Sequence, residues 1–139
     1  MADEVRETVQ GDGYAVGSLD GMGEGYGFRK VRRELGVTAF GANVIVIPPG
    51  YVPPVHYHEE QEELYFVHQG ELEFEFPDGR TFVLGPGGLA RVDAHTVRKI
   101  RNAGDGDAVY FIVGGKDGYV GRDGRSGEGG ELARPGAGG

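Results

Sequence analysis

The chain contains no cysteine and no tryptophan among its 139 residues. The first absence removes disulfides, iron–sulfur clusters, thiolate metal sites and cysteine nucleophiles together, so a bound metal would have to be held by histidine, carboxylate or amide groups. Long apolar runs are also missing, and nothing approaches the roughly 18 residues that a membrane-spanning helix needs. The opening MADEVRETVQ lacks the basic-then-apolar pattern of a secretory signal, so the cytoplasm is the expected location and a membrane is not an expected partner. Positive charge is in short supply: 14 basic residues stand against 22 acidic ones, for a formal net charge of −8. Such a chain is repelled by phosphate backbones, which excludes nucleic acid as an expected partner. Between residues 36 and 113 there are 11 acids and only five bases, so the acidity belongs mainly to the middle.

Glycine, by contrast, is abundant, with 28 residues unevenly spread beside seven prolines. The length suits one domain, and three parts can be distinguished. Residues 115–139 hold almost nothing apolar, so ordering them would cost more backbone entropy than contacts return, and a flexible Gly-rich tail is expected. Its near-repeat, Asp117-Gly118-Tyr119 and Asp123-Gly124-Arg125, matches no calcium-loop spacing. Residues 1–35 read as a partly ordered N-terminal arm able to add an edge strand. In it Gly21, Gly23, Gly25 and Gly27 alternate without the Lys-Ser/Thr of a phosphate loop, and Phe28 to Leu35 is open between strand and helix.

Residues 36–114 read as short strands broken by turns, the pattern of a small all-β sandwich or barrel. Val37 to Ile47 is rich in β-branched residues and stops at Pro48-Pro49-Gly50, where two successive residues lack a ladder donor. Glu71 to Phe76 alternates strictly, turning Leu72, Phe74 and Phe76 to a core and three glutamates to water. Further strands are expected over Leu64–His68, Thr81–Leu84, Leu89–Val92, Thr96–Arg101 and Ala108–Val113.

His56 and His58 stand two apart in an expected strand, which puts both imidazoles on one face. With Glu63 opening the neighbouring strand, the three form a two-His, one-carboxylate set that suits a transition metal and leaves positions open for substrate or dioxygen. On spacing alone, a half-exposed surface pair of histidines is an equal reading.

Gly50, His56, His58, Glu63 and Gly70, separated by five, one, four and six residues, resemble the first sequence motif of the cupin superfamily at every defining position. The resemblance implies a single cupin barrel, of the double-stranded β-helix or jelly-roll type, with His56, His58 and Glu63 as ligands to one divalent transition metal per chain (iron, manganese, nickel, copper or zinc). It also implies a homodimer paired through its sheets. Sixteen residues on, the second motif is only partly present: Gly87 and Asn102 fit its ends, but Asp93 and His95 replace a proline and a glycine, and Arg98 stands where the family has its fourth ligand, a histidine. Strand parity puts Arg98, Ile100 and Asn102 on one face, pointing Arg98 into the barrel.

A guanidinium has five donors and no lone pair, so Arg98 cannot ligate a metal. Two outcomes are expected to compete. With metal on His56, His58 and Glu63, and Gln61 on the same face as a fourth donor, Arg98 sits at the cavity wall and holds an anionic substrate group. Alternatively Arg98 forks onto Glu63, giving a metal-free binding or sensing pocket. The first outcome is an enzyme acting on a small anionic organic molecule by dioxygenase-type, isomerase or decarboxylase chemistry, with Arg98 and the cavity-lining Tyr65 as its catalytic residues. His68 has the parity opposite to Glu63 and is expected at the surface, and His95 is expected in a turn at the barrel mouth.

Overall fold

Period-two burial determines the architecture over residues 2–127, the part that the computed structural model describes. Twelve strands follow one another: β1 (Val9–Gly11), β2 (Tyr14–Val16), β3 (Gly27–Arg29), β4 (Gly41–Ile47), β5 (His56–His58), β6 (Glu62–Gln69), β7 (Leu72–Glu75), β8 (Thr81–Leu84), β9 (Leu89–Val92), β10 (Lys99–Asn102), β11 (Ala108–Gly115) and β12 (Gly124–Ser126). One short helix, α1 (Val31–Leu35), lies between β3 and β4 and ends on Gly36 in the left-handed conformation that glycine adopts without steric cost. The open stretch from Phe28 to Leu35 thus contains both elements, strand first and helix second. No helix among the described residues is long and apolar enough to cross a membrane.

The main sheet has the order β3-β4-β11-β6-β9, faced by a second sheet of order β10-β7-β8 and a short pair of β12 with β5. The expected edge strand from the N-terminal arm is β3, antiparallel to β4 with Phe28 opposite Ile45. Every second residue of β6 turns inward, so Glu63, Tyr65 and Val67 are buried while Glu62, Leu64 and Phe66 are exposed. The strands β7 and β11 alternate likewise, and the two sheets close on one core that includes Ile45, Val67, Phe74, Ile100, Tyr110 and Ile112. Gly70, the last position of the first motif, has φ +80, and a Cβ there would come within 2.6 Å of the Asp107 carbonyl oxygen, so only glycine fits this turn.

The tail differs from its expectation. Residues 116–127 return to the barrel: β12 runs antiparallel to β5, with Gly124 opposite His58 and Ser126 opposite His56. Hydrogen bonds rather than apolar burial hold this segment, through the ladder and the side chain of Asp123, which is why composition gave no sign of it. The rest of the expected tail, residues 128–139, lies outside the described residues.

Candidate metal centre

Pro53 and Pro54 precede β5, whose period of two turns His56 and His58 to the interior. Glu63 enters from β6 with the same parity as the core residues Tyr65 and Val67. The ligating atoms of His56, His58 and Glu63 all lie within 4.8 Å of one another. Glu63 Oε1 is 3.2 Å from His58 Nε2 and 3.9 Å from His56 Nε2, and both Nε2 atoms are buried without a hydrogen-bond partner.

The opposite ring nitrogens set the tautomers. His56 Nδ1 lies 3.0 Å from the Pro54 carbonyl oxygen, and since a carbonyl can only accept, the proton is on Nδ1 and the Nε2 lone pair faces Glu63. His58 Nδ1 lies 2.8 Å from Asp123 Oδ1. Burial pushes the Asp123 carboxyl up, but the backbone N–H groups of Gln61 and Glu60 and the His58 ring outweigh it and hold Asp123 below its usual range. An ionised Asp123 accepts the His58 Nδ1 proton, so its Nε2 also points into the cluster. Two oriented imidazole lone pairs and a carboxylate oxygen converging on one buried point fit a divalent transition metal.

Glu63 would be strongly destabilised alone. Burial raises its pKa, yet His56, His58 and Arg98 together bring it well below the ordinary carboxylate value. Tyr65, expected among the catalytic residues, donates its hydroxyl proton to Glu63 Oε1 at 2.7 Å; burial and the Glu63 charge raise the Tyr65 pKa well above 10.0. Tyr65 is therefore a donor that orients Glu63, and it is no base. His58 is pulled both ways: burial lowers its pKa, and the negative charges of Glu63 and Asp123 close to its ring outweigh this and raise it.

Three expectations need correction. Gln61 is no fourth donor of the cluster: its Nε2 lies on Asp123 Oδ1 and 3.1 Å from His58 Nδ1, on the side of the ring away from Glu63. Its local turn explains this, because the Glu60 and Gln61 N–H groups both donate to Asp123 Oδ2 and draw the side chain after them. Arg98 does point inward, with Ile100 and Asn102 as parity required, but it does not sit in the cavity wall. The cavity beside the triad, about 360 Å³, is lined by His56, Tyr65, Phe28, Ile45, Tyr110 and Ile112 among others, without Arg98. Nor does Arg98 fork onto Glu63: its Nη2 approaches Oε1 only to 3.8 Å. None of its three guanidinium nitrogens has a hydrogen-bond partner among the described residues, although the side chain is fully buried. The backbone just before β10 fixes it there, through an isolated antiparallel bridge of Arg98 to His56.

His68 and His95 are exposed, as parity and turn position suggested. The backbone N–H of His95 donates to the His58 carbonyl oxygen at 2.6 Å, so His95 supports the site through its main chain. Asn102 closes the second motif structurally, donating to the carbonyl oxygens of Ile47 and Gly106 and accepting from the Gly104 N–H. The residue that sequence reasoning missed is Asp123. Its sole sequence signal was the second Asp-Gly of the tail's near-repeat.

A β-barrel with two histidines of β5 and a carboxylate of β6 turned to its interior defines the class of protein. The Cupin domain family model matches residues 43–114, more than half of the chain, and the chain belongs to the cupin family. No curated protein matches it. Among solved structures it is similar to a cupin protein from Bacteroides fragilis, at 23% identity over 75% of this chain and 85% of that one, with a TM-score of 0.63. A sugar phosphate isomerase from the cupin superfamily of Silicibacter pomeroyi matches at 22% identity over 77% of this chain and 80% of that one, with a TM-score of 0.60. A predicted oxalate decarboxylase from Thermotoga maritima matches at 26% identity over 53% of this chain and 64% of that one, with a TM-score of 0.50.

Proposed function

We propose that this cupin binds one divalent transition metal at His56, His58 and Glu63 and acts there on a small organic anion with an apolar body. The observation that carries the reading is the convergence of two partnerless, oriented Nε2 atoms on Glu63 Oε1. Burying two imidazole lone pairs without a partner is unfavourable unless an ion takes them up. When bound, the metal would supply Lewis-acid polarisation or a place for dioxygen. The chain's residues do the rest. Phe28, Ile45 and Ile112 in the cavity wall bind an apolar body and exclude water, Tyr65 holds Glu63 in position, and Arg98 provides positive charge for an anionic head that reaches the triad. Dioxygenase-type chemistry is the first reaction class, because three protein ligands on one side leave open positions; isomerisation or decarboxylation of a chelating keto acid is the second. The similarity to a sugar phosphate isomerase and a predicted oxalate decarboxylase is in keeping with the second class.

A non-catalytic reading has one observation in its favour, the approach of Arg98 to Glu63, which lowers the demand of the site for a cation. The test is a ligand-observed NMR screen of small carboxylates and keto acids with apolar groups. It is run with iron(II), manganese(II) or zinc(II), with and without oxygen. Metal-dependent binding or turnover that disappears in Arg98→Met is expected. Binding that is indifferent to metal in every condition would replace the enzyme by a sensing barrel.

A further inference from the structure

The segment that follows the barrel proper reaches the candidate metal centre through one buried side chain. Asp123 is 5% exposed, 65 residues away in sequence from its partner His58. Its two oxygens have separate duties. Oδ2 accepts from the backbone N–H groups of Glu60 and Gln61 at 3.0 and 2.9 Å and so shapes the turn between β5 and β6, the turn that sets the distance between the two histidines and Glu63. Oδ1 faces His58 Nδ1 and the Gln61 amide. Around it the main chain of the segment grips β5: Glu59 N–H donates to the Asp123 carbonyl, Gly127 N–H donates to the Val55 carbonyl, and β12 pairs residue by residue with His56 to His58.

We propose that Asp123 is the positioning residue of His58, and that residues 123–127 are a strap that completes the metal-binding strand from outside the barrel. The inference rests on the metal reading above for its consequence, though not for its geometry. By accepting from Nδ1–H, Asp123 keeps the His58 lone pair on Nε2, where Glu63 Oε1 lies 3.2 Å away. A carboxylate behind a ligating imidazole orients the ring and raises its basicity.

Asp123→Asn separates this role from mere packing. The amide retains the size of the side chain but has one acceptor oxygen. With that oxygen on the Glu60 and Gln61 N–H groups, the amide nitrogen faces His58 and donates, which drives the ring proton to Nε2 and blocks the lone pair. Two measurements decide. The first is the ring tautomer of His58 in metal-free protein by long-range proton–nitrogen NMR at alkaline pH. The expected proton position is Nδ1 in the wild type and Nε2 in Asp123→Asn, at unchanged overall fold by circular dichroism. The second is zinc(II) affinity by competition with a chelator, expected to fall about 10–100-fold in the variant. A wild-type His58 protonated on Nε2 overturns the assignment without any variant having to fold, as does a variant that binds zinc as tightly as the wild type. If neither protein binds zinc, the metal reading fails, and the tautomer measurement alone upholds or overturns the role of Asp123.

Discussion

Replacing the buried pair of Arg98 and Glu63 together, by Arg98→Met with Glu63→Gln, should stabilise the metal-free, ligand-free protein. The guanidinium is fully buried, and the one carboxylate within 4.0 Å of it among the described residues is Glu63, at 3.8 Å. At the effective dielectric suited to protein sites, that separation corresponds to roughly 4 kcal/mol of attraction. Against it stands a desolvation penalty of several kcal/mol for each ion. Three guanidinium nitrogens without hydrogen-bond partners add to the deficit, at about 1–3 kcal/mol for each buried donor left unmade. Glutamine at position 63 keeps an amide oxygen to accept the Tyr65 hydroxyl and leaves no buried charge uncompensated. The balance therefore favours an uncharged pair of similar size, and a gain of about 1–4 kcal/mol is expected. For a domain of this size it amounts to a rise in melting temperature of several degrees. Urea unfolding of chelator-treated wild type and the double variant Arg98→Met with Glu63→Gln, with equal m-values, measures the difference. A loss of more than about 2 kcal/mol would refute the reasoning: it would mean that Arg98 is half of a structural ion pair, and the case for its holding a substrate anion would go with it.

Other predictions follow from the same geometry. Tyr65→Phe removes the donor on Glu63 Oε1 and should destabilise by about 1–3 kcal/mol; unchanged stability by denaturation would show that Glu63 does not depend on it. The buried polar cluster should be most stabilising between pH 4.5 and 6.5 in metal-free protein. Glu63, with its pKa lowered, stabilises above 4.5 and loses this as pH falls, while His58, with its pKa raised, stabilises below 6.5 and loses this as pH rises through its folded value. Melting temperatures across pH test this, and a flat profile in both directions contradicts it. A second copy of the chain is expected on the outer face of the main sheet, where Leu64, Phe66 and Leu89 are 46%, 38% and 60% exposed and β9 is an edge. Light scattering should give a dimer for the wild type and a monomer for Phe66→Lys with Leu89→Lys; a monomeric wild type would contradict it.

Much of this site was legible because strands have a period of two. The spacing of His56 and His58, the shared parity of Glu63 with Tyr65, and the inward set of Arg98, Ile100 and Asn102 all follow from it. The outward placement of His68 follows equally. Periodicity does not say which way a side chain turns at its end. Gln61 bends behind His58 because two backbone donors next to it bind Asp123, and Arg98 stops short of both the cavity and a fork on Glu63. Nor does composition reveal a strand held by polar contacts rather than apolar burial. The segment around Asp123 has too few apolar residues to predict order, and its register is set by β5, which is some 65 residues earlier in the chain. Tyr65 was legible as inward and cavity-lining, but its bond to Glu63 depends on a hydroxyl position that only the fold supplies.

The central claim is that His56, His58 and Glu63 hold one metal ion. Metal content per chain by plasma mass spectrometry, on untagged protein dialysed to equilibrium against a mixture of manganese(II), iron(II), nickel(II), copper(II) and zinc(II), tests it directly when His56→Ala with His58→Ala is treated alongside. About one ion per chain in the wild type and none in the folded double variant is the predicted result. An ion-free wild type, or equal metal in both proteins, would contradict the account.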